Sequence, residues 1–210
     1  LIIDKDSNLK IAAKRVCLGK FINCGQTCIA PDYLFVHKEV KEEFINLLKE
    51  NIISFFGTEA YKSENYGRII NQRQFLRLKN LLSQGEIIFG GKHDERNNYI
   101  SPTLIKPYEL NNSLMQDEIF GPILPILEFE NIENVIEYIN KRPRPLALYY
   151  FGNKNINIIK RTTSGGACIN DAIMHIIPHS LPFGGIGQSG MGSYHGKKSF
   201  DTFSHYKSVL

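Results

Sequence analysis

The chain has 210 residues, 42% of them hydrophobic, with a net charge of +4 and a pI near 8.8. That length is enough for one large domain with a real core, while no apolar run reaches the roughly 18–20 residues that a bilayer span needs. The basic residues are scattered, and the densest cluster, His195-Gly196-Lys197-Lys198, is too short for the stripe that nucleic acid recruits, so a solvated surface is the reading for these charges.

Taken in order, Leu1-Ile2-Ile3-Asp4 reads as the end of a buried strand and its turn, which implies further residues upstream. Residues 8 to 22 read as a helix. Leu9, Ala12, Ala13, Val16 and Phe21 fall near helical spacing, Asp6, Ser7 or Asn8 can cap it, and Gly25 can stop it. Tyr33-Leu34-Phe35-Val36 is a short apolar run of the kind buried on both faces of a sheet. Residues 38 to 56 and 71 to 82 read as two further helices, and 86 to 89 as a strand stopped by Gly90-Gly91. Residues 99 to 105 read as extended, with Pro102 placing them at an edge or a bulge. A strand at 123–129, a helix at 131–140, a strand at 146–151, a short helix at 153–163 and a last strand at 165–170 complete the pattern.

Strand and helix alternate, which predicts an α/β fold with a mainly parallel sheet covered by helices on both faces. The run from Pro182 to Gly192 is glycine-rich and breaks regular structure. From Ser199 to Leu210 the chain alternates weakly, as an extended arm that pairs with another domain or subunit.

The stretch Asn23-Cys24-Gly25-Gln26-Thr27-Cys28-Ile29-Ala30-Pro31 concentrates the candidate chemistry. A thiol needs an electropositive or hydrogen-bonding setting to become a nucleophile, and a tight turn with a glycine supplies backbone N–H groups for that. On pattern alone a buried, inert cysteine is the commoner outcome for Cys28. Ligands of open parallel sheets bind beyond the carboxyl ends of the strands, so this turn, which precedes its strand, has to fold back toward that edge. The four cysteines show no disulfide spacing, which points to a reducing compartment, the cytosol. Cys24 and Cys28 are too far apart for the usual zinc pair, and Pro178 disfavours a helix that would aim His175 and His179 at one metal, so no metal is expected. Of Asp117 and Glu118, neighbours that point apart, one can enter a site. The run from Gly184 to Gly192 lacks the Lys-Ser/Thr of a P-loop.

Three blocks together carry a family resemblance: Asn23 through Tyr33, Met115-Gln116-Asp117-Glu118-Ile119-Phe120-Gly121-Pro122, and His179 through Gly187 continued by Ser199-Phe200-Asp201-Thr202-Phe203-Ser204-His205. In this order the chain resembles the carboxyl-terminal, catalytic half of an aldehyde dehydrogenase, within the fatty-aldehyde, class 3 branch. The resemblance implies a three-layer α/β/α catalytic domain over residues 1–180, with the cofactor domain upstream. It also implies a glycine-rich active-site segment and extended oligomerisation arm over 181–210. It makes Cys28 the catalytic nucleophile. Glu118 and Phe120 become cofactor-binding residues, on the ribose and beside the nicotinamide, and Phe183 a residue near the substrate entrance. It implies NAD or NADP as cofactor, an aldehyde as substrate, plausibly medium- or long-chain and aliphatic, and a homodimer through the arm. A membrane anchor would have to follow Leu210. The Glu-Leu-Gly-Gly-Lys motif that carries the family's deacylating glutamate, and the asparagine that completes its oxyanion hole, lie upstream of such a segment. Next to Lys160-Arg161 the chain looks about one helical turn shorter than the family pattern, which could shift the strand holding Cys168 and Asn170. Two other readings fit the residues: a truncated, non-catalytic fragment, and a cofactor-independent thiol esterase-like domain.

Overall fold

A computed structural model describes residues 1–210. Seven strands form one sheet in the order β3-β6-β7-β2-β1-β8-β9, all parallel except the β3–β6 pair. They are β1 (Ile2–Ile3), β2 (Leu34–His37), β3 (Gly85–Phe89), β6 (Thr103–Pro107), β7 (Ile123–Phe129), β8 (Ala147–Phe151) and β9 (Gly166–Ile169). A separate two-stranded ribbon joins β4 (His93–Asp94) to β5 (Tyr99–Ile100).

Alternation along the central strands divides the core in two. Ile3, Leu34, Val36 and Tyr149 pack against helices α1 (Leu9–Phe21) and α2 (Lys41–Phe56). Ile2, Phe35, Leu148 and Tyr150 face the other way, onto α4 (Ile132–Asn140) and α5 (Ile158–Arg161). Helix α3 (Gln72–Leu81) closes a third cluster around Ile105 and Ile123. The three-layer α/β arrangement expected from the alternation is present.

Helix α1 starts where capping predicts, with the Asn8 side chain accepting from Ile11 N–H at 3.2 Å. It ends at Phe21, before Gly25, because Asn23 and Cys24 turn into the left-handed region, with φ of 51° and 57°. Three expectations need correction. The extended segment over 99–105 is two strands interrupted at Ser101-Pro102, and β6 lies inside the sheet between β3 and β7. The helix expected over 153–163 is a four-residue turn of helix, Ile158–Arg161. Asp6 accepts hydrogen bonds from the Asn153 and Lys154 amides and Asp4 from the Asn155 side chain, which holds the preceding residues in turns. Even so, β9 keeps its parallel register on β8, with Tyr149 opposite Cys168. The arm expected to be extended from Ser199 is helical at its start, α6 (Gly196–Thr202), with Lys197 paired to Asp201 at 2.7 Å one turn away.

Candidate active site

In a parallel α/β unit the helix runs back against the strands, so the loop from α1 into β2 emerges at the amino-terminal edge of the sheet. Cys28 sits in that loop. The loop does not fold round to the carboxyl edge as the general rule for open sheets suggested. A cavity of about 420 Å³ instead opens at the amino-terminal edge, between the starts of β1, β2 and β8. Its wall includes Cys28, Asp32, Glu118 and Tyr149, and most of the remaining lining is apolar. Gln188 and Ser189 reach it from the glycine-rich segment.

Cys28 occupies the second position of a turn closed by Ala30 N–H donating to Thr27 carbonyl at 2.9 Å. The Cys28 amide itself makes no hydrogen bond within the chain. The turn is anchored on each side. Gln26 accepts from Ile70 N–H at 3.0 Å and donates to Arg68 carbonyl at 3.0 Å, while Tyr149 hydroxyl donates to Ile29 carbonyl at 2.7 Å. Gly25 adopts φ +72°, and a Cβ there would stand 2.2 Å from the Gly121 carbonyl oxygen, so only glycine allows the cysteine turn and the Glu118 loop to touch.

All four cysteines are free thiols, and Cys28 alone is exposed. Burial pushes the Cys17 thiol up to about 12 and the Cys24 thiol up to about 11. Cys168, raised by burial, stands 3.4 Å from His175 Nδ1. Cys24 and Cys28, four residues apart, therefore serve different ends: one fills the core beside Tyr66 and the other faces the cavity.

Burial and the neighbouring Asp32 carboxylate raise the Glu118 pKa, against the opposing charges of Lys20 and Arg77. Lys20, almost wholly buried at the end of α1, is depressed to about 8 by that burial, with Asp32 and Glu118 partly restoring it. Asp117 is absent from the cavity wall, as its neighbour's entry requires.

The structure thus brings Cys28 and Glu118 together. It does not bring Phe120 or Phe183 into the same wall. Phe120 is exposed and holds a left-handed backbone, φ 46°. Phe183 packs among His175, Tyr194 and His195 and pairs with Tyr194 in an isolated bridge. His175 and His179 part company, one toward Cys168 and the other toward His195. No group of three or more His, Cys, Asp or Glu side chains is placed to hold a metal. Asp32, Tyr149 and Lys20 were missed. Lys20 had a signal, since it continues the apolar face of Ala13 and Val16 where a surface lysine has no place; Asp32, directly before an apolar strand, had none.

The sequence profile described as "Aldehyde dehydrogenase family" matches residues 1–209. Over 212 residues the chain is 49% identical to rat "Aldehyde dehydrogenase family 3 member A2", covering 99% of this chain and 44% of that protein. It is 46% identical to "4,4'-diaponeurosporen-aldehyde dehydrogenase" of Staphylococcus aureus, over 100% of this chain and 47% of the other. The structure titled "Substrate bound state of Staphylococcus Aureus AldH" superposes with a TM-score of 0.94 at 45% identity, over 99% of this chain and 48% of that one. The chain spans about half the length of the curated relatives it matches. With matching sequence over nearly its whole length and the same fold, the chain belongs to the aldehyde dehydrogenase family.

Proposed function

We propose that this chain supplies the thiol nucleophile of an enzyme that oxidises aldehydes to carboxylic acids with NAD or NADP. The observation that supports this reading best is the meeting of the one exposed thiol, Cys28, and the Glu118 carboxylate in one cavity. The Cys28 thiolate attacks the aldehyde carbonyl carbon, and the carbonyl electron pair moves onto oxygen to give a thiohemiacetal. The unpartnered Cys28 amide is free to donate to that oxyanion, a contribution of a few kcal/mol in acyl-transfer sites generally. Glu118, with two acceptor oxygens, suits the two hydroxyls of a nicotinamide ribose, which is the fit this chain offers the cofactor. When bound, the cofactor supplies the hydride acceptor. Cys28 then carries a thioester, and water releases the acid and restores the thiol. By family resemblance the glutamate that activates this water lies upstream, Phe120 packs beside the ribose, and Phe183 lies near the entrance.

The apolar lining, including Ile29, Leu146 and Leu148, supports an aliphatic aldehyde of medium or long chain. The exposed apolar residues of the tail, Phe200, Phe203, Tyr206 and Val209, support a dimer formed through that arm, and a relative from rat is itself described as dimeric and NADP-preferring. The test is cofactor reduction by a complete polypeptide carrying this chain joined to a cofactor-binding half, with a medium-chain aldehyde. Cys28→Ser should lower turnover roughly 10³-fold or more. Turnover that survives this substitution would overturn the assignment.

A further inference from the structure

We propose that Asp32 and Arg77 form an opposite-charge clamp that fixes the backbone at Glu118 and so pre-sets its carboxylate; this rests on the cofactor role given to Glu118 above. The two residues grip a single peptide plane, the one between Glu118 and Ile119. Its N–H, on Ile119, donates to Asp32 Oδ1 at 3.0 Å. Its carbonyl, on Glu118, accepts from Arg77 at 3.3 Å. In a trans peptide these two groups point in opposite directions, so holding both fixes the plane from its two edges. The other terminal nitrogen of Arg77 donates to the next carbonyl, that of Ile119. The guanidinium is itself aimed, because its Nε donates to Gln74 Oε1 at 2.7 Å, one turn earlier on α3. A planar fork of donors can satisfy two successive carbonyls where a single ammonium cannot.

Two further features show why this loop needs holding. Phe120, next in sequence, carries φ 46°, a conformation that costs a non-glycine residue energy and persists only when its surroundings impose it. And Gly121 lies so close to Gly25 that the loop has no room to move toward the cysteine turn. Asp32 stands four residues after Cys28, so the clamp also sets the distance between the nucleophile's loop and the Glu118 carboxylate. Asp32 and Arg77 are positioning residues: they act on the cofactor through Glu118.

The experiment uses the complete polypeptide and reads the cofactor dissociation constant by calorimetry, with the rate of Cys28 alkylation by iodoacetamide and the melting temperature as controls. Glu118→Gln is the reference. Arg77→Met and Asp32→Ala should each weaken cofactor binding about tenfold and lower the melting temperature by only a few degrees, since each leaves a peptide group without its partner, while Arg77→Met, which lies outside the cavity wall, keeps the alkylation rate of the parent. Asp32→Asn, which retains an acceptor oxygen for Ile119 N–H, should recover most of the loss, and Arg77→Lys should recover little. If Glu118→Gln weakens binding and the clamp variants do not, the clamp is wrong and the role of Glu118 stands. If Glu118→Gln binds the cofactor as well as the parent does, the reading of Glu118 fails and the clamp with it. Should Arg77→Met or Asp32→Ala fail to fold, the conservative pair decides: Arg77→Lys binding like the parent overturns the proposal, and Arg77→Lys weak with Asp32→Asn near the parent supports it.

Discussion

The sheet and the carboxyl-terminal segment are built on opposite terms. Every buried residue lies at or before Ala172, and from Ile173 to Leu210 none is buried. The sheet stores its apolar surface between layers, whereas the segment displays it, with Met191, Phe203 and Val209 nearly fully exposed. The cavity draws on both. Cys28, Glu118 and Tyr149 come from the packed part and Gln188 and Ser189 from the displayed one. The groups with chemistry are therefore fixed by a core that resists displacement, and the cover over them is held by local turns and one bridge, Phe183 to Tyr194. This contrast can be tested by removing apolar mass, conformational freedom or protons from each part.

The largest effect belongs to the core. Phe44 on α2 is fully buried against α1 and the sheet, and Phe44→Ala should cost about 3–5 kcal/mol in urea denaturation, because the surroundings cannot close the space left by the ring. A loss under about 1 kcal/mol would mean that the α1–α2 layer adds little to the sheet's stability. Gly25→Ala comes next, at about 3 kcal/mol. It combines an unfavourable left-handed backbone with a collision against the Gly121 carbonyl. It should also weaken cofactor binding, because the strain falls on the loop that bears Glu118. A stability loss without any change at the site would show that the two loops are not coupled.

The buried thiols give a smaller, pH-dependent effect. Cys17 and Cys24 hold their protons in the folded state up to about 12 and 11, while in the unfolded chain a thiol ionises near its ordinary value of 9.0. The unfolded state then binds fewer protons than the folded one above pH 9, so stability is intact below that value. It falls as pH rises through the window up to 11 for Cys24 and 12 for Cys17. At pH 10 each thiol should account for about 1 kcal/mol of that loss. Denaturation at pH 8 and pH 10 measures it, and Cys17→Ala should shrink the difference between the two. An unchanged difference would show that Cys17 is not so deeply desolvated.

Much of the packed part could be read in advance. Residues 123–129 form the strand their apolar run predicts, because a strand covered on both faces needs no polar alternation. The apolar stripe of α1 was equally plain, and of the three residues able to cap it, Asp6, Ser7 and Asn8, the structure uses Asn8. What escaped depended on contacts remote in sequence. The helix expected over 153–163 shrank because Asp4 and Asp6, some 150 residues away, bind the amides and side chain that precede it. Cys28 stood out as a thiol in a tight turn, yet its exposure followed only once Cys24 was seen to fill the core four residues earlier. Asp32 was invisible because its partner, Ile119 N–H, lies 87 residues along the chain. The amino-terminal position of the cavity follows from the direction of α1, a topological fact that a general rule about strand ends obscured.

The smallest effect on stability, and the sharpest test of the displayed part, is at Phe203. The residue is 91% exposed, so Phe203→Ser removes almost no buried area and should change the stability of the 210-residue chain by less than about 0.5 kcal/mol. Its consequence should appear instead in association. If the exposed apolar residues of the tail form a subunit contact, sedimentation velocity of the complete polypeptide should show the dimer dissociating at a concentration where the parent remains paired. Phe44→Ala should do the reverse, lowering stability while the surviving folded protein still pairs. A Phe203→Ser variant that melts early yet pairs normally would place this residue with the sheet rather than with the surface the chain presents to a partner.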